Sequence, residues 1–133
     1  MFQYDLAIYN TASADIIVPV IINLFNPKSV IDVGCGNGSW LRVFENFDVR
    51  IVGIENNHIL SVETYIDKNK ILITDLELSI KHDQKYDIAI CLEVAEHLSK
   101  ARAISFVEEL CSLSDVIIFS AAIPFQGGCN HVN

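Results

Sequence analysis

Apolar residues along this chain fall into two spacings that alternate from one end to the other. Ile16, Ile17, Val20, Ile21 and Leu24 recur at helical spacing, and Ser13 or Asp15 is of a type that caps a helix N-terminus, so the pattern predicts a helix running to about residue 25. Pro19 lies within the first turn or just beyond it and marks either the start of that helix or a kink. Asn26-Pro27-Lys28 then breaks the chain. Val30, Ile31 and Val33 are β-branched and suit a buried parallel strand. Residues 39–46 follow as a crossover helix, with Trp40, Leu41, Val43, Phe44 and Phe47 available to cover a sheet. Apolar runs at 50–54, 70–74, 86–92 and 116–120 read as further strands, with helical patterns at 58–67 and 100–113 between them. Strand and helix in alternation predict an α/β fold with a doubly wound, mostly parallel sheet. No repeat, low-complexity tract or linker interrupts it, so one domain is expected over 1–133, a helical region at 1–26 leading into a core at 27–133.

At 133 residues, 51% of them hydrophobic and 20% charged, the chain has material for one core and is not expected to be disordered. Seventeen acidic against nine basic side chains leave a formal net charge of −8. With no run of Lys or Arg to track a phosphate backbone, nucleic acid is not expected as a partner. Cys35, Cys91, Cys111 and Cys129 are widely spaced, and at least the first three fall where buried strands, turns or helices are expected. Reduced thiols and a cytoplasmic setting follow. Residues 1–9 lack a basic region followed by an apolar core, and the apolar stretch 16–25 is too short to span a bilayer, so neither export nor membrane insertion is expected.

The chemistry concentrates at residues 30–38, Val-Ile-Asp-Val-Gly-Cys-Gly-Asn-Gly. An acid stands at the end of the apolar run, and Gly34, Gly36 and Gly38 permit a tight turn and the close approach of a ligand. A dinucleotide fingerprint wants its third glycine at position 39, where Ser39 stands, so the spacing favours a methyl donor over NAD. Across 29–41 the chain resembles the first motif of the class I methyltransferases that use S-adenosylmethionine, an acid followed by Gly-x-Gly-x-Gly. The run Tyr86-Asp87-Ile88-Ala89-Ile90-Cys91-Leu92-Glu93-Val94-Ala95-Glu96-His97-Leu98 is similar to that family's fourth-strand motif, and the resemblance covers 26–124. It implies a Rossmann-like methyltransferase fold with S-adenosyl-L-methionine as cofactor.

Each candidate residue falls at the carboxyl end of an expected strand, where open α/β sheets place ligands. Glu55 follows the first glycine by about twenty residues, a place from which a carboxylate accepts both ribose hydroxyl protons. Cys35 in the loop and Asn56 after the acid are counted with it as cofactor contacts. The resemblance implies that Asp75 accepts a hydrogen bond from the adenine amino group and that Leu76 lines the adenine plane. It places Glu93 and Val94 beside the methionine part of the cofactor, near the path of the methyl group. Asp32 lies inside its strand, where a buried charge needs partners, and the loop amides and the ligand's ammonium suit it. Glycine amides at the helix N-terminus would face a ligand carboxylate.

Glu93, Glu96 and His97 form Glu-x-x-Glu-His, a spacing that can gather oxygens and an imidazole around one divalent ion. Some RNA 3′-terminal 2′-O-methyltransferases use a similar cluster with a further histidine, a place His131 can fill. The same letters occur in methyltransferases that need no metal, with Glu96 and His97 capping and packing the next helix, and the metal-free reading is preferred. The polar, glycine-rich residues 120–133 should border the acceptor pocket, where His131 is of a type to orient or deprotonate a hydroxyl or amine. His58 and His82 read as solvated. The family's sheet continues beyond its fifth strand, so the strand at 115–120, which reads as interior, is expected to be an exposed edge in a truncated chain and a route to self-association. The expected activity is methyl transfer to an O or N atom of a small molecule. The alternatives are a cofactor-binding module without turnover and a metal-dependent enzyme like the RNA 2′-O-methyltransferases, and an NAD-linked oxidoreductase is the weakest.

Overall fold

A computed structural model of the chain describes residues 9–123, 125–128 and 130–132. The expectations for residues 1–8 and for Cys129 lie outside the described residues. Five strands, β1 (Ser29–Val33), β2 (Arg50–Glu55), β3 (Ile71–Ile73), β4 (Ile88–Leu92) and β5 (Ile117–Ser120), form one parallel sheet in the order β3-β2-β1-β4-β5. Helices α1 (Ala12–Phe25), α2 (Ser39–Glu45) and α3 (Ala103–Leu113) complete the doubly wound, Rossmann-like α/β arrangement expected from the alternating pattern. Successive side chains of a strand point to opposite faces. Val30, Ile88 and Ile90 therefore enter one core with Val18, Ile21, Leu41 and Phe44 from α1 and α2, while Ile31, Val33, Ala89 and Cys91 enter a second with Phe106, Leu110 and Leu113 of α3. Asp87 sits before β4 instead of within it, because its carboxylate accepts the Lys28 and Ser29 N–H groups at 2.6 and 3.0 Å. Ser29 Oγ in turn accepts the Asp87 N–H at 3.0 Å, so the pair sets where β1 and β4 begin.

The first helix departs from expectation in its cap and its face. It starts ahead of Ser13, where Asn10 Oδ1 accepts the Ala12 N–H at 2.8 Å and the Thr11 hydroxyl donates to Asp15 at 2.9 Å. The face it buries is Ala14, Val18 and Ile21, and Ile16, Ile17, Val20 and Leu24 are exposed, Ile16 to 71%. With apolar residues on nearly every side of the helix, their spacing does little to select a face, and small Ala14 lets it approach closely. Pro19 lies in the interior of this helix. Phe47, expected on the sheet, is exposed beyond α2.

The helical pattern at 58–67 is the larger correction. Only a short 3₁₀ turn forms, Asn57–Ser61, capped by Asn56, whose Oδ1 accepts the His58 N–H at 3.0 Å. Beyond it the Thr64 hydroxyl donates to the Ile66 carbonyl at 2.7 Å, and the Tyr65 N–H donates to the Asn37 carbonyl at 2.8 Å. Local side-chain bonds of this kind compete with a helical ladder, and burial of Ile66 supplies the tertiary pull. Residues 100–113 also divide, into a 3₁₀ turn at Lys100–Arg102 and α3.

Candidate functional site

With all strands parallel, Val33, Glu55, Ile73, Leu92 and Ser120 end at one edge of the sheet. The chain leaves β1 there through Gly34-Cys35-Gly36-Asn37-Gly38 before entering α2. Gly34 has φ +81°, and a Cβ on it would lie 2.4 Å from Val94 Cγ2. Gly38 has φ +78°, and a Cβ on it would lie 2.7 Å from Ile66 Cγ1. These two glycines press the loop against the segments that follow β4 and the first 3₁₀ turn. The loop amides are engaged within the chain. Those of Gly34 and Cys35 donate to Ile54 O at 2.8 and 3.1 Å, that of Gly36 to Glu55 Oε2 at 2.9 Å, and that of Gly38 to Cys35 O at 2.9 Å. The expectation that these glycine amides stand ready for a ligand carboxylate is corrected accordingly.

Asp32 pairs in register with Gly53 of β2 on one side and Ile90 of β4 on the other, and is 4% exposed. Its carboxyl takes no hydrogen bond among the described residues, since the loop amides expected as its partners are bonded elsewhere. Burial, reinforced by the neighbouring charge of Glu55, pushes the Asp32 carboxyl well above the usual carboxylate range. Glu55 is the last residue of β2, 8% exposed, with Oε1 accepting the Asn56 N–H at 2.8 Å. Cys35 turns its thiol into the core, where Gly53 makes room: a Cβ there would come within 2.6 Å of Cys35 Sγ. Burial first, then the charges of Asp32 and Glu55, raise that thiol far above its ordinary value, so its side chain packs and offers no nucleophile.

Beyond β3, exposed Asp75 accepts the Glu77 N–H at 3.0 Å and, with Asn56, Asn57, Ile73 and Thr74, lines a polar cleft adjoining Glu55 along the chain. Leu76 is not among the lining residues. It is buried in the core under α3, and its carbonyl accepts from Arg102 Nε at 3.0 Å, which leaves Ile73 as the apolar residue open to the cleft. Arg102 also donates to Leu78 O at 2.8 Å and pairs with Glu109, bracing this turn against α3.

At the end of β4, Glu93 adopts φ +56° and donates its N–H to Ser120 O at 2.9 Å. A left-handed glutamate costs on the order of 1–3 kcal/mol, and such strain clusters where a chain is shaped for a ligand. Glu96, in the 3₁₀ turn Ala95–His97, is 2% exposed; its Oε1 accepts the Ala122 N–H at 3.2 Å and its Oε2 is buried with no partner among the described residues. The chain after β5 returns over this turn: the Val132 N–H donates to Glu96 O at 2.8 Å, and His97 Nδ1 lies 3.1 Å from Asn130 O. The His97 and His131 rings meet edge to face at 5.2 Å. One donor atom each from Glu96, His97 and His131 lies within 4.8 Å of the others, and Glu93 is not part of that group.

The edge thus carries two clusters, Asp32 with the glycine loop and Glu55, and Glu96 with His97 and His131; Val94 against Gly34 joins the two sides. Asn37 has a role that sequence reasoning missed. Its Nδ2 donates to Tyr9 O at 2.8 Å and its Oδ1 accepts the Ser39 N–H at 3.3 Å, pinning the loop from both sides. Its position between two glycines was the available signal.

Residues 10–115 match the family described as Methyltransferase domain. The chain belongs to that family. Among curated relatives of this methyltransferase domain are the ubiquinone biosynthesis O-methyltransferases of Saccharophagus degradans and Rickettsia felis, 30% and 29% identical over 101 residues. Each alignment spans 70% of this chain but only 43% and 41% of the relative, so the chain spans less than half the length of these proteins. Solved structures with the same fold include a SAM-bound amino pentose methyltransferase of Micromonospora echinaspora (TM-score 0.64, 18% identity, 78% of this chain and 46% of that one). Another is the methyltransferase domain of bacterial CtHen1-CN (TM-score 0.61, 23% identity, 81% and 65%).

Proposed function

We propose that this domain binds S-adenosylmethionine at the carboxyl ends of β1 and β2 and transfers its methyl group to an O or N atom of a small molecule. The observation that most supports this reading is Asp32, a buried carboxyl without a hydrogen-bond partner among the described residues and under the charge of Glu55. A cation placed there relieves both the burial and the like-charge repulsion, and the ammonium of the methionine portion is such a cation. Glu55 has lone pairs left after the Gly36 and Asn56 amides, enough to accept ribose hydroxyl protons. Asp75, which lines the polar cleft, accepts from the adenine amino group in this reading. Glu93 and Val94 then flank the methionine portion.

The bound cofactor supplies an activated methyl group on a sulfonium. What remains for the chain is to hold the acceptor in line and exclude competing orientations, and positioning of that kind carries most of such a barrier. The curated relatives, named as ubiquinone biosynthesis O-methyltransferases, support an oxygen acceptor on a small molecule. The net charge of −8 argues against a nucleic-acid partner. No helix among the described residues is long and apolar enough to cross a membrane, and Cys35, Cys91 and Cys111 are free, which supports the cytoplasmic setting that we include in the proposal. The test is calorimetric titration with S-adenosylmethionine and its demethylated product. Glu55→Gln keeps one acceptor for the loop but loses charge-assisted bonds worth about 1.5–3 kcal/mol, so affinity should fall about tenfold or more. A folded parent chain that binds neither compound overturns the reading. Binding without methyl transfer points to the cofactor-holding module.

A further inference from the structure

We propose that Arg102 and Glu77 are positioning residues for the base of the cofactor: they fix the turn that carries Asp75, so that its carboxylate reads the adenine 6-amino group. For its ligand this rests on the S-adenosylmethionine reading above. β3 ends at Ile73, and past the Thr74 N–H, which donates to Glu55 O at 2.8 Å, the sheet no longer holds the chain. Leu76 and Ile80 are anchored in the core with Phe106 and Leu110, whereas Asp75, Glu77, Leu78 and Ser79 are exposed. Two apolar anchors attach the turn but leave its orientation open. Polar contacts from residues 99–109 set it.

Arg102 is 7% exposed, donates from Nε to Leu76 O at 3.0 Å and from Nη2 to Leu78 O at 2.8 Å, and pairs with Glu109. Glu109 in turn accepts the Ser79 hydroxyl and the Ile80 N–H, each at 3.0 Å. From the other side the Glu77 carboxylate accepts the Ser99 N–H at 2.7 Å and the Ser99 hydroxyl at 2.8 Å. Within the turn the Glu77 N–H donates to Asp75 Oδ1 at 3.0 Å and the Leu78 N–H to Asp75 O at 3.0 Å. Holding residues 76–78 therefore holds the Asp75 carboxylate, whose Oδ2 accepts no hydrogen bond among the described residues. Burial opposes the charge on Glu109, yet the bonds from Arg102, Ile80 and Ser79 keep its carboxyl below the ordinary value, so the pair stays ionised near neutrality. A largely buried ion pair adds little to stability, because desolvation offsets most of its Coulombic gain. What the guanidinium adds is a rigid fork that meets two carbonyls at fixed angles. An ionised Asp75 held in this way offers lone pairs only, so it accepts from an amino group and repels a carbonyl oxygen in the same place.

The test titrates the full chain calorimetrically with S-adenosylhomocysteine and with S-inosylhomocysteine, in which an oxo group replaces the 6-amino group. The parent should favour the adenosyl compound by about tenfold or more, and Asp75→Asn gives the ratio left without the carboxylate. Arg102→Lys keeps the charge but not the fork, and Glu77→Ala releases Ser99. In each the ratio should fall to about threefold or less, while affinity for the inosyl compound stays within about twofold of the parent. A role confined to holding the fold would lower both affinities together and leave the ratio unchanged. Glu77→Ala, at an exposed position, remains informative where Arg102→Lys fails to fold by circular dichroism. A parent that binds the two compounds alike overturns the assignment of Asp75 to the amino group and this proposal with it. A parent that discriminates, but keeps its ratio in either folded variant, overturns this proposal alone.

Discussion

The β1/β2 side and the β4/β5 side of the sheet edge each bury an acid that the chain leaves short of partners, but they hold it by different means. Asp32 is fixed by strand ladders on both flanks, in register with Gly53 and Ile90. Glu96 sits in a 3₁₀ turn, and what meets it comes from residues 122 and 132, past the last strand. The difference teaches that the first cluster is a property of the sheet and the second a property of the chain that folds back onto it. Removing a contact at the first should change stability and ligand affinity together, while the second should be separable from the fold.

The sharpest way to break this contrast is at Gly34, where the two sides touch. Gly34→Val places a branched side chain at φ +81° and drives its Cβ into Val94, 2.4 Å away. Left-handed strain of about 1–2 kcal/mol and overpacking of about 1–3 kcal/mol together predict a loss on the order of 3 kcal/mol in urea unfolding. A variant within about 0.5 kcal/mol of the parent would show that the sides are not packed against each other as described.

Asp32→Asn should have opposite effects on the ligand-free and ligand-bound protein. Because the folded carboxyl is raised above its unfolded value, its contribution to stability is full below the unfolded value, near pH 4, and is lost as pH rises through the folded one. The neutral Asn escapes that loss, so the variant should melt higher than the parent at neutral pH, with the gap closing toward pH 4. Cofactor affinity should move the other way, falling about tenfold or more as the ammonium loses its counter-charge. In the parent, affinity should rise with pH through the raised Asp32 value, with proton release visible as a buffer-dependent binding enthalpy. A variant that melts lower than the parent at pH 7 would contradict the assignment of Asp32 as an uncompensated buried acid.

How much of this was legible in the sequence follows the same division. β1, the glycine loop and the acid at the end of β2 are local, with β-branched runs, glycines and a carboxylate in fixed order, and their positions along the chain match the structure. Ladder pairing then carries Asp32 and Glu55 to one place without further information. The 58–67 segment misleads because its apolar spacing mimics a helix, while the Thr64 hydroxyl bonds locally to the Ile66 carbonyl and the Tyr65 contact with Asn37 acts across a sequence distance that no periodicity reports. Leu76 misleads similarly: its place after Asp75 is local, but its burial under α3 is tertiary. The letters of the Glu96, His97 and His131 cluster were visible, but a spacing of 34 residues between two of its members carries no geometry until the chain after β5 is seen to return.

The smallest expected effect concerns the outer strands. β3 is three residues long and is preceded by Lys68 and Lys70, the kind of short, charged edge that resists pairing with another chain. β5 pairs with β4 on one side, has no neighbour on the other among the described residues, and carries exposed Phe119 without any lysine. Self-association should therefore run through β5, weakly and with rising concentration. Phe119→Lys should suppress it, while folding stability changes by less than about 1 kcal/mol, since the ring is already half exposed. Light scattering across a concentration series decides the matter. A parent chain that stays monomeric at the highest concentration would show that β5 is no more open to pairing than β3.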